Sequence, residues 1–478
     1  MSYGDWEPVI GLEIHAQLLT ESKMFSTDST TFGAGDNVNT SPVSLGLPGA
    51  LPVVNHRAID FAIKLGLALR CQIRNKSVFA RKNYFYPDLP KGYQISQYDE
   101  PICEHGEVEI FIDNEVRRVG VTRAHLEEDA GKSTHHGDHT LINLNRAGIP
   151  LLEIVSEPDL RTPAEAAEYA RTIRRILRYL EICDGNLEEG SMRCDCNISV
   201  RKKGTEKFGT KVELKNINSF RFVEKAIEYE IHRQIDSIEA GGEIMQETRL
   251  YDSAKNRTFA MRSKEEAHDY RYFPDPDLLP LELTHEWIEG IRKTLPELPF
   301  DRARRFQSFY ALPEYDSFVL TAEKETADFY ELVAEESKNP KAASNWIMVE
   351  LMRELKDHNV EISKSPISAK GLAELIQMID SNAISGKIAK AVFKEMWSSG
   401  ESPEKIVKAK GMVQITDPKA IEEIVEKTLA ASPAQVEQYR SGKDKLFGFF
   451  VGQIMKETKG QANPELVNEE LKRQLKGD

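Results

Sequence analysis

Between residues 295 and 299 the chain reads Leu-Pro-Glu-Leu-Pro, and the hydrophobic period changes across that break. Before it, short alternating runs are separated by Gly, Pro, Asn and Asp, the pattern of an antiparallel sheet with a few helices. After it, nearly every segment repeats with a helical period, and a second joint falls at Ser399–Pro403. Periods of 2 and 3.6 do not fit one layer, so the chain is expected to be α+β: an antiparallel-sheet domain over 1–295, an all-α helical domain over 296–405 and a small helical tail over 406–478. With 478 residues there is material for about two to four cores.

The charge is uneven. Net charge is -14, so the bulk of the chain repels nucleic acid, yet residues 406–478 carry 12 Lys+Arg against 11 Asp+Glu. Any RNA contact must come from local basic surface. Five cysteines, Cys71, Cys103, Cys183, Cys194 and Cys196, form no disulfide framework, and no run of 18 apolar residues or export signal is present. A reducing cytoplasm and no membrane association are expected.

Two strands present polar side chains on one face. In Val9–Leu18, Ile10, Leu12, Ile14, Ala16 and Leu18 face one way and Glu13, His15 and Gln17 the other. In Ser191–Val200 the same alternation sets Arg193, Asp195, Asn197 and Ser199 against Met192, Cys194, Cys196, Ile198 and Val200. Ile149–Val155 is apolar apart from Glu153, and an ionised carboxylate in such a run needs a cation or a proton. The strand around Arg123–Asp129 ends in Glu127-Glu128-Asp129. Carboxylates on several strands suit Mg²⁺, which takes oxygen ligands and bridges to substrate phosphates. Segments Arg81–Pro87 (with Lys82, Tyr84 and Tyr86), Lys211–Asn216 (with Lys215 and Asn216) and Asp269–Pro274 (with Arg271) could cradle phosphates or a base; core aromatics and surface lysines are the plainer reading of each.

One helix is marked by Thr162-Pro163-Ala164-Glu165, a capping box with proline at the first helical position, and its Arg171, Arg174, Arg175 and Arg178 are expected to form a solvated row. Ala130-Gly131-Lys132-Ser133 resembles the end of a P-loop but has Leu126 where glycine is required. Cys183, Cys194 and Cys196 lack a C-x-x-C pair and are expected in the core, and His135, His136 and His139 in a solvated loop. In the tail, Phe447, Phe450, Val451, Ile454 and Met455 make one helix stripe, and Asn463-Pro464 starts a second helix packed through Val467, Leu471 and Leu475. Lys443, Lys445, Lys456, Lys459, Lys472 and Arg473 are left for RNA phosphates.

The motifs Val9–His15, Arg81–Asp88, Tyr93–Gln97, Leu126–Ser133 and Glu153–Asp159, with Gly452–Lys456 and Gly460–Pro464 near the end, together resemble GatB, the B subunit of the glutamyl/aspartyl-tRNA amidotransferases. The resemblance runs from about Pro8 to about Leu475. It implies a cradle-shaped catalytic domain that uses ATP and Mg²⁺ to phosphorylate the side-chain carboxylate of misacylated Glu-tRNA(Gln) or Asp-tRNA(Asn), after which ammonia displaces phosphate. It also implies an amidase partner, GatA, that releases ammonia from glutamine, a small subunit, GatC, and a tail that binds tRNA. Carried onto this chain, the catalytic and metal roles fall on Glu13, His15, Glu128 and Glu153, with Asp195 as a further metal ligand. Carboxylate and γ-phosphate repel, so Mg²⁺ and groups such as Lys82 and Lys215 would have to offset that charge. The residues by themselves also admit a metal-dependent hydrolase that needs no ATP, or a non-catalytic RNA-binding scaffold.

Overall fold

The structure is a computed structural model describing residues 3–261, 270–412, 415, 417–458 and 460–476. The chain divides into two compact units, Met1–Arg302 and Ala303–Asp478.

In the first unit the strands run β1 (Trp6–Gln17), β2 (Gln72–Ile73), β3 (Lys76–Ser77), β4 (Phe79–Asn83), β5 (Tyr93–Gln97), β6 (Cys103–Ile112), β7 (Glu115–Glu128) and β8 (Lys132–His136). They continue as β9 (His139–Asn143), β10 (Pro150–Ser156), β11 (Met192–Lys202), β12 (Val212–Lys215), β13 (Thr248–Asp252), β14 (Arg257–Ala260), β15 (Phe273–Pro274) and β16 (Leu281–Glu282). Nine of them form one sheet in the order β14-β13-β12-β11-β1-β10-β7-β6-β2. Every pairing in it is antiparallel except β12 with β13, which run parallel because the helix Phe220–Glu239 intervenes between them. A three-stranded sheet, β15-β4-β5, lies against β7. The histidines expected in a loop stand on a hairpin, β8 paired with β9, and remain exposed.

Period-2 alternation puts Ile10, Leu12, Ile14 and Ala16 of β1 on the same face as Cys194, Cys196 and Ile198 of β11 and Leu152 and Ile154 of β10, all buried. Three helices cover that face: α1 (His56–Ala68), α2 (Pro163–Tyr179) and α3 (Phe220–Glu239). Helix α2 carries the expected capping box, and its Ala166, Tyr169, Ala170, Ile173 and Leu177 are fully buried. Of its arginines, Arg171 and Arg175 pair with Glu168 and Arg174 donates to the carbonyl of Gly185. The apolar side of the sheet is therefore filled by helices, and function is left to the polar side. Cys183, Cys194 and Cys196 lie in this core.

In the helical unit one hydrophobic cluster runs from Phe306 to Val407 and a separate one from Ile421 to Leu475. In the second cluster Phe450 and Ile454 are buried while Phe447, Val451 and Met455 are half-buried around them. The Asn463 side chain accepts from the amides of Glu465 and Leu466, starting the helix Pro464–Lys476 whose Val467, Leu471 and Leu475 fill the core. Among the described residues no helix is long and apolar enough to cross a membrane.

Candidate active site

Strand register assembles the site. On the face opposite the helices, Glu13 pairs with Asp195 of β11, and His15 pairs with Arg193 of β11 and Glu153 of β10. Glu153 in turn pairs with His125 of β7, so Arg193, His15, Glu153 and His125 form one row across four strands. A second row follows two residues on, with Gln17 and Glu127 on either side of Leu151.

At the centre, His15 Nε2 lies 3.3 Å from Glu153 Oε2 and 3.7 Å from Glu127 Oε1. His125 Nε2 is 3.6 Å from the same Glu153 oxygen, and Arg123 approaches its other oxygen at 4.0 Å. Burial would strip the charge from His15, but the hydrogen bond and charge of Glu153, with Glu127 behind it, raise the imidazole from 6.5 to about 9. Burial dominates at His125, which drops to about 4 and is neutral at pH 7. Burial pushes the Glu127 carboxyl up, and the charge of Glu153 adds to it. For Glu153 burial acts upward too, but His125 and the hydrogen-bonded His15 overcome it and hold the carboxyl well below the usual range. The cation required by a carboxylate in an apolar run is thus supplied at pH 7 by His15, with Arg123 near the other oxygen.

One ligand atom from each of His15, Glu127 and Glu153 lies within 4.8 Å of the others. Two carboxylates and one imidazole, with a polar face around them, fit a hard divalent cation such as Mg²⁺.

The other residues singled out in the sequence are placed around this trio or away from it. Glu13 Oε1 accepts from Asn197 Nδ2 at 2.8 Å, and Asp195 accepts from Lys215 Nζ, which also lies 2.9 Å from Glu213. Burial opposes the charge on Lys215, yet Asp195 and Glu213 outweigh it and raise the ammonium above the ordinary lysine range. Lys82 sits on β4 with its ammonium 4.8 Å from the Tyr270 ring centroid and 5.9 Å from that of Tyr84. Tyr84 donates to Gln94 and meets Tyr86 edge to face, and Tyr86 is exposed. The Arg271 carbonyl accepts from Asn83, and Asn216 donates to the carbonyl of Tyr251 from a left-handed turn. Glu128 is turned toward β5: it pairs with Lys91 and accepts from the Ile95 amide at 2.9 Å. Of the acidic trio at the end of β7, Glu127 is the one that meets His15.

Residues 8–289 match the GatB/GatE catalytic domain and residues 328–475 the GatB domain. The chain belongs to the GatB/GatE family. It is 65% identical over 477 residues, the full length of both chains, to the B subunit of the aspartyl/glutamyl-tRNA(Asn/Gln) amidotransferase of Bdellovibrio bacteriovorus. The B subunit of the same amidotransferase from Thioalkalivibrio sulfidiphilus is 58% identical over 475 residues, covering 98% of this chain and all of its own. The one from Geotalea daltonii is 55% identical over 478 residues, covering 99% of this chain and all of its own.

Within this GatB/GatE chain the sequence left His125, Arg193 and Arg123 without a role and chose Glu128 over Glu127 from the acidic trio. A signal for two of them existed: His125 and Glu127 are two residues apart on β7 and so share a face. Arg193 is held by Asp129 at 3.1 Å, which also accepts from Gln17 at 2.9 Å.

The basic residues of the tail differ in what they touch. Lys445, Lys456 and Lys472 are exposed, and Lys443 is exposed with a hydrogen bond to Gln438. Arg473 is paired with Glu422 and Glu470, so it is engaged within the tail itself. Lys459 lies outside the described residues.

Proposed function

We propose that this amidotransferase subunit phosphorylates the side-chain carboxylate of misacylated Glu-tRNA(Gln) or Asp-tRNA(Asn) with ATP, and that ammonia from an amidase partner, GatA, then forms the amide in a complex that includes GatC. The single observation that carries the reading is the His15, Glu127 and Glu153 cluster on the polar face of the sheet. Family membership supports the substrate, since the relatives are named as aspartyl/glutamyl-tRNA(Asn/Gln) amidotransferase B subunits.

In this reading a substrate carboxylate oxygen attacks the γ-phosphorus, ADP departs, and ammonia then attacks the acyl carbon and expels phosphate. Mg²⁺ bound by His15, Glu127 and Glu153, with Glu13 and Asp195 beside them, would neutralise phosphate charge. The chain's own part is orientation and charge. His125 and Arg123 hold Glu153, Asn197 holds Glu13, and Lys215 fixes Asp195. Lys82 on β4 offers a cation to anionic substrate, with Tyr84 and Tyr270 around it excluding water from a labile acyl phosphate. Residues 1–295 would carry the chemistry, 296–405 would form the helical domain, whose core extends to Val407, and the remainder to 478 the tRNA grip.

The test is ATP cleavage by the reconstituted complex with each misacylated tRNA. Cleavage should require misacylated tRNA and fall ~10²-fold or more in His15→Ala, about 2.7 kcal/mol of transition-state stabilisation. Turnover without ATP, or full activity of His15→Ala, would reject the proposal.

A further inference from the structure

Most cations on the polar face of the large sheet are already spent on the protein itself. Lys215 lies between Asp195 and Glu213, Arg146 gives its Nε and Nη2 to the carbonyls of Ala130 and Gly131, and Arg123 is drawn to Glu153. Arg193 differs. Its Nη2 donates to Asp129 at 3.1 Å, whereas its Nη1 meets no acceptor among the described residues, and the side chain is 37% exposed and so within reach of a ligand.

Asp129 holds this guanidinium without cancelling it. Its buried carboxylate also accepts from Gln17 at 2.9 Å and lies 3.5 Å from Arg146, so two guanidinium groups share one negative charge and leave one positive. Arg193 starts on β11, opposite His15, and Asp129 follows the end of β7, with β1 and β10 between them in the sheet. The side chain therefore reaches over β1 toward the second polar row, where Glu127 acts on its charge. One edge of the guanidinium is anchored and the other is left beside the metal trio. A planar guanidinium meets a carboxylate with two parallel N–H···O bonds. It meets a carboxamide less well, because the amide carries no charge and offers one oxygen and an N–H group to the same fork.

We propose that Arg193 receives the side-chain carboxylate of the aminoacyl substrate and so separates the acid, which must enter, from the amide, which must leave. The inference rests on the reaction proposed above, in which Mg²⁺ and Lys82 answer the phosphate and the acceptor carboxylate needs a cation of its own. Amidation removes the charge that Arg193 holds, so the product loses this contact at the step that completes it.

Calorimetric binding to the reconstituted complex tests this with two stable probes, adenosine carrying glutamate through an amide link and its glutaminyl counterpart, in EDTA so that no metal holds the carboxylate. The wild type should prefer the glutamyl probe by at least about tenfold, Arg193→Gln should bring the two affinities within about twofold, and Arg193→Lys should fall between. On wild-type protein, the glutamyl probe should slow modification of Arg193 by phenylglyoxal, read by peptide mass spectrometry, and the glutaminyl probe should not. Equal wild-type affinity for the two probes would overturn the proposal, as would an undiminished preference in folded Arg193→Gln, or protection of Arg193 by a non-hydrolysable ATP analogue but not by the glutamyl probe. The protection arm needs no variant, so it decides the matter even where a substitution prevents folding. Failure of the underlying reaction looks different: a preference that depends on Arg193, with no ATP cleavage on misacylated tRNA, would keep Arg193 as the carboxylate-binding group and reject the phosphorylation.

Discussion

A proton on His15 and a divalent ion answer the same two carboxylates, so they compete, and the competition has a size. The ion needs the neutral imidazole nitrogen, whereas Glu153 and Glu127 hold the metal-free imidazole protonated up to about 9. At pH 7 that leaves about one molecule in a hundred ready to bind, a penalty of ~2.7 kcal/mol. Apparent affinity for Mn²⁺, used as a spectroscopic substitute for Mg²⁺, should rise about tenfold per pH unit from 7 to 9 and level off above. About 1.5 protons should be released per ion at pH 7, close to one from His15 and about half from Glu127, whose carboxyl is raised to about 7. Both are measured directly, the first by electron paramagnetic resonance titration of free Mn²⁺ and the second by calorimetry in buffers of different ionisation enthalpy. In Glu153→Gln the larger of the two attractions is gone, burial then controls His15, and the slope between pH 7 and 9 should vanish together with part of the affinity. Equal wild-type affinity at pH 7 and 9, with no proton released, would refute the assignment of His15 as a ligand.

The same shift predicts the metal-free protein's stability. Because the folded His15 value is raised from 6.5 to about 9, its contribution is fully present below pH 6.5 and lost as pH rises through 9, so the Tm in EDTA should fall between pH 7 and 10 and fall less in Glu153→Gln. Glu128→Gln leaves the enclosed Lys91 without its carboxylate and should cost about 3–5 kcal/mol, seen in denaturant unfolding, whereas Glu127→Gln spares that ion pair and should mainly reduce Mn²⁺ affinity. Ending the chain at Met412, beyond Ile406 and Val407 of the helical domain's core, should weaken tRNA binding and flatten its salt dependence, each lost phosphate contact removing ~0.9 from the log-log slope, with ATP affinity retained. Unchanged tRNA affinity across a salt series would move the RNA site elsewhere. Thr162→Ala should cost about 1 kcal/mol in thermal or denaturant unfolding through the lost cap of α2.

Much of the first unit was legible because period-2 alternation is a local property. Glu13 and His15 could be assigned to one face of β1, and Asp195 to one face of β11, from spacing alone, and the structure pairs those strands residue for residue. Glu153 stood out as a charge in an apolar run, and its partners proved to be His15 and His125. The helix from Pro163 and the tail helix from Pro464 followed from their caps, since a capping side chain bonds backbone only a few residues away.

Long-range pairing was decided elsewhere. The acidic run Glu127-Glu128-Asp129 offers three carboxylates at a strand end, and nothing local says which one faces His15. The register of β7 on β10 decides it, setting His125 opposite Glu153, so that Glu127 shares the polar face while Glu128 turns to Lys91 and Ile95. A slip of one residue would exchange those roles, because side chains alternate with a period of 2. His15 and His125 show the same dependence: two histidines on strands separated by β10 are moved to about 9 and about 4. Charge and burial at each imidazole come from carboxylates and strands distant in sequence, brought within a few ångströms only when the sheet closes. Residue spacing was enough to name the chemistry available on each strand, and the pairing of β1, β7, β10 and β11 determined which of those groups act on one another.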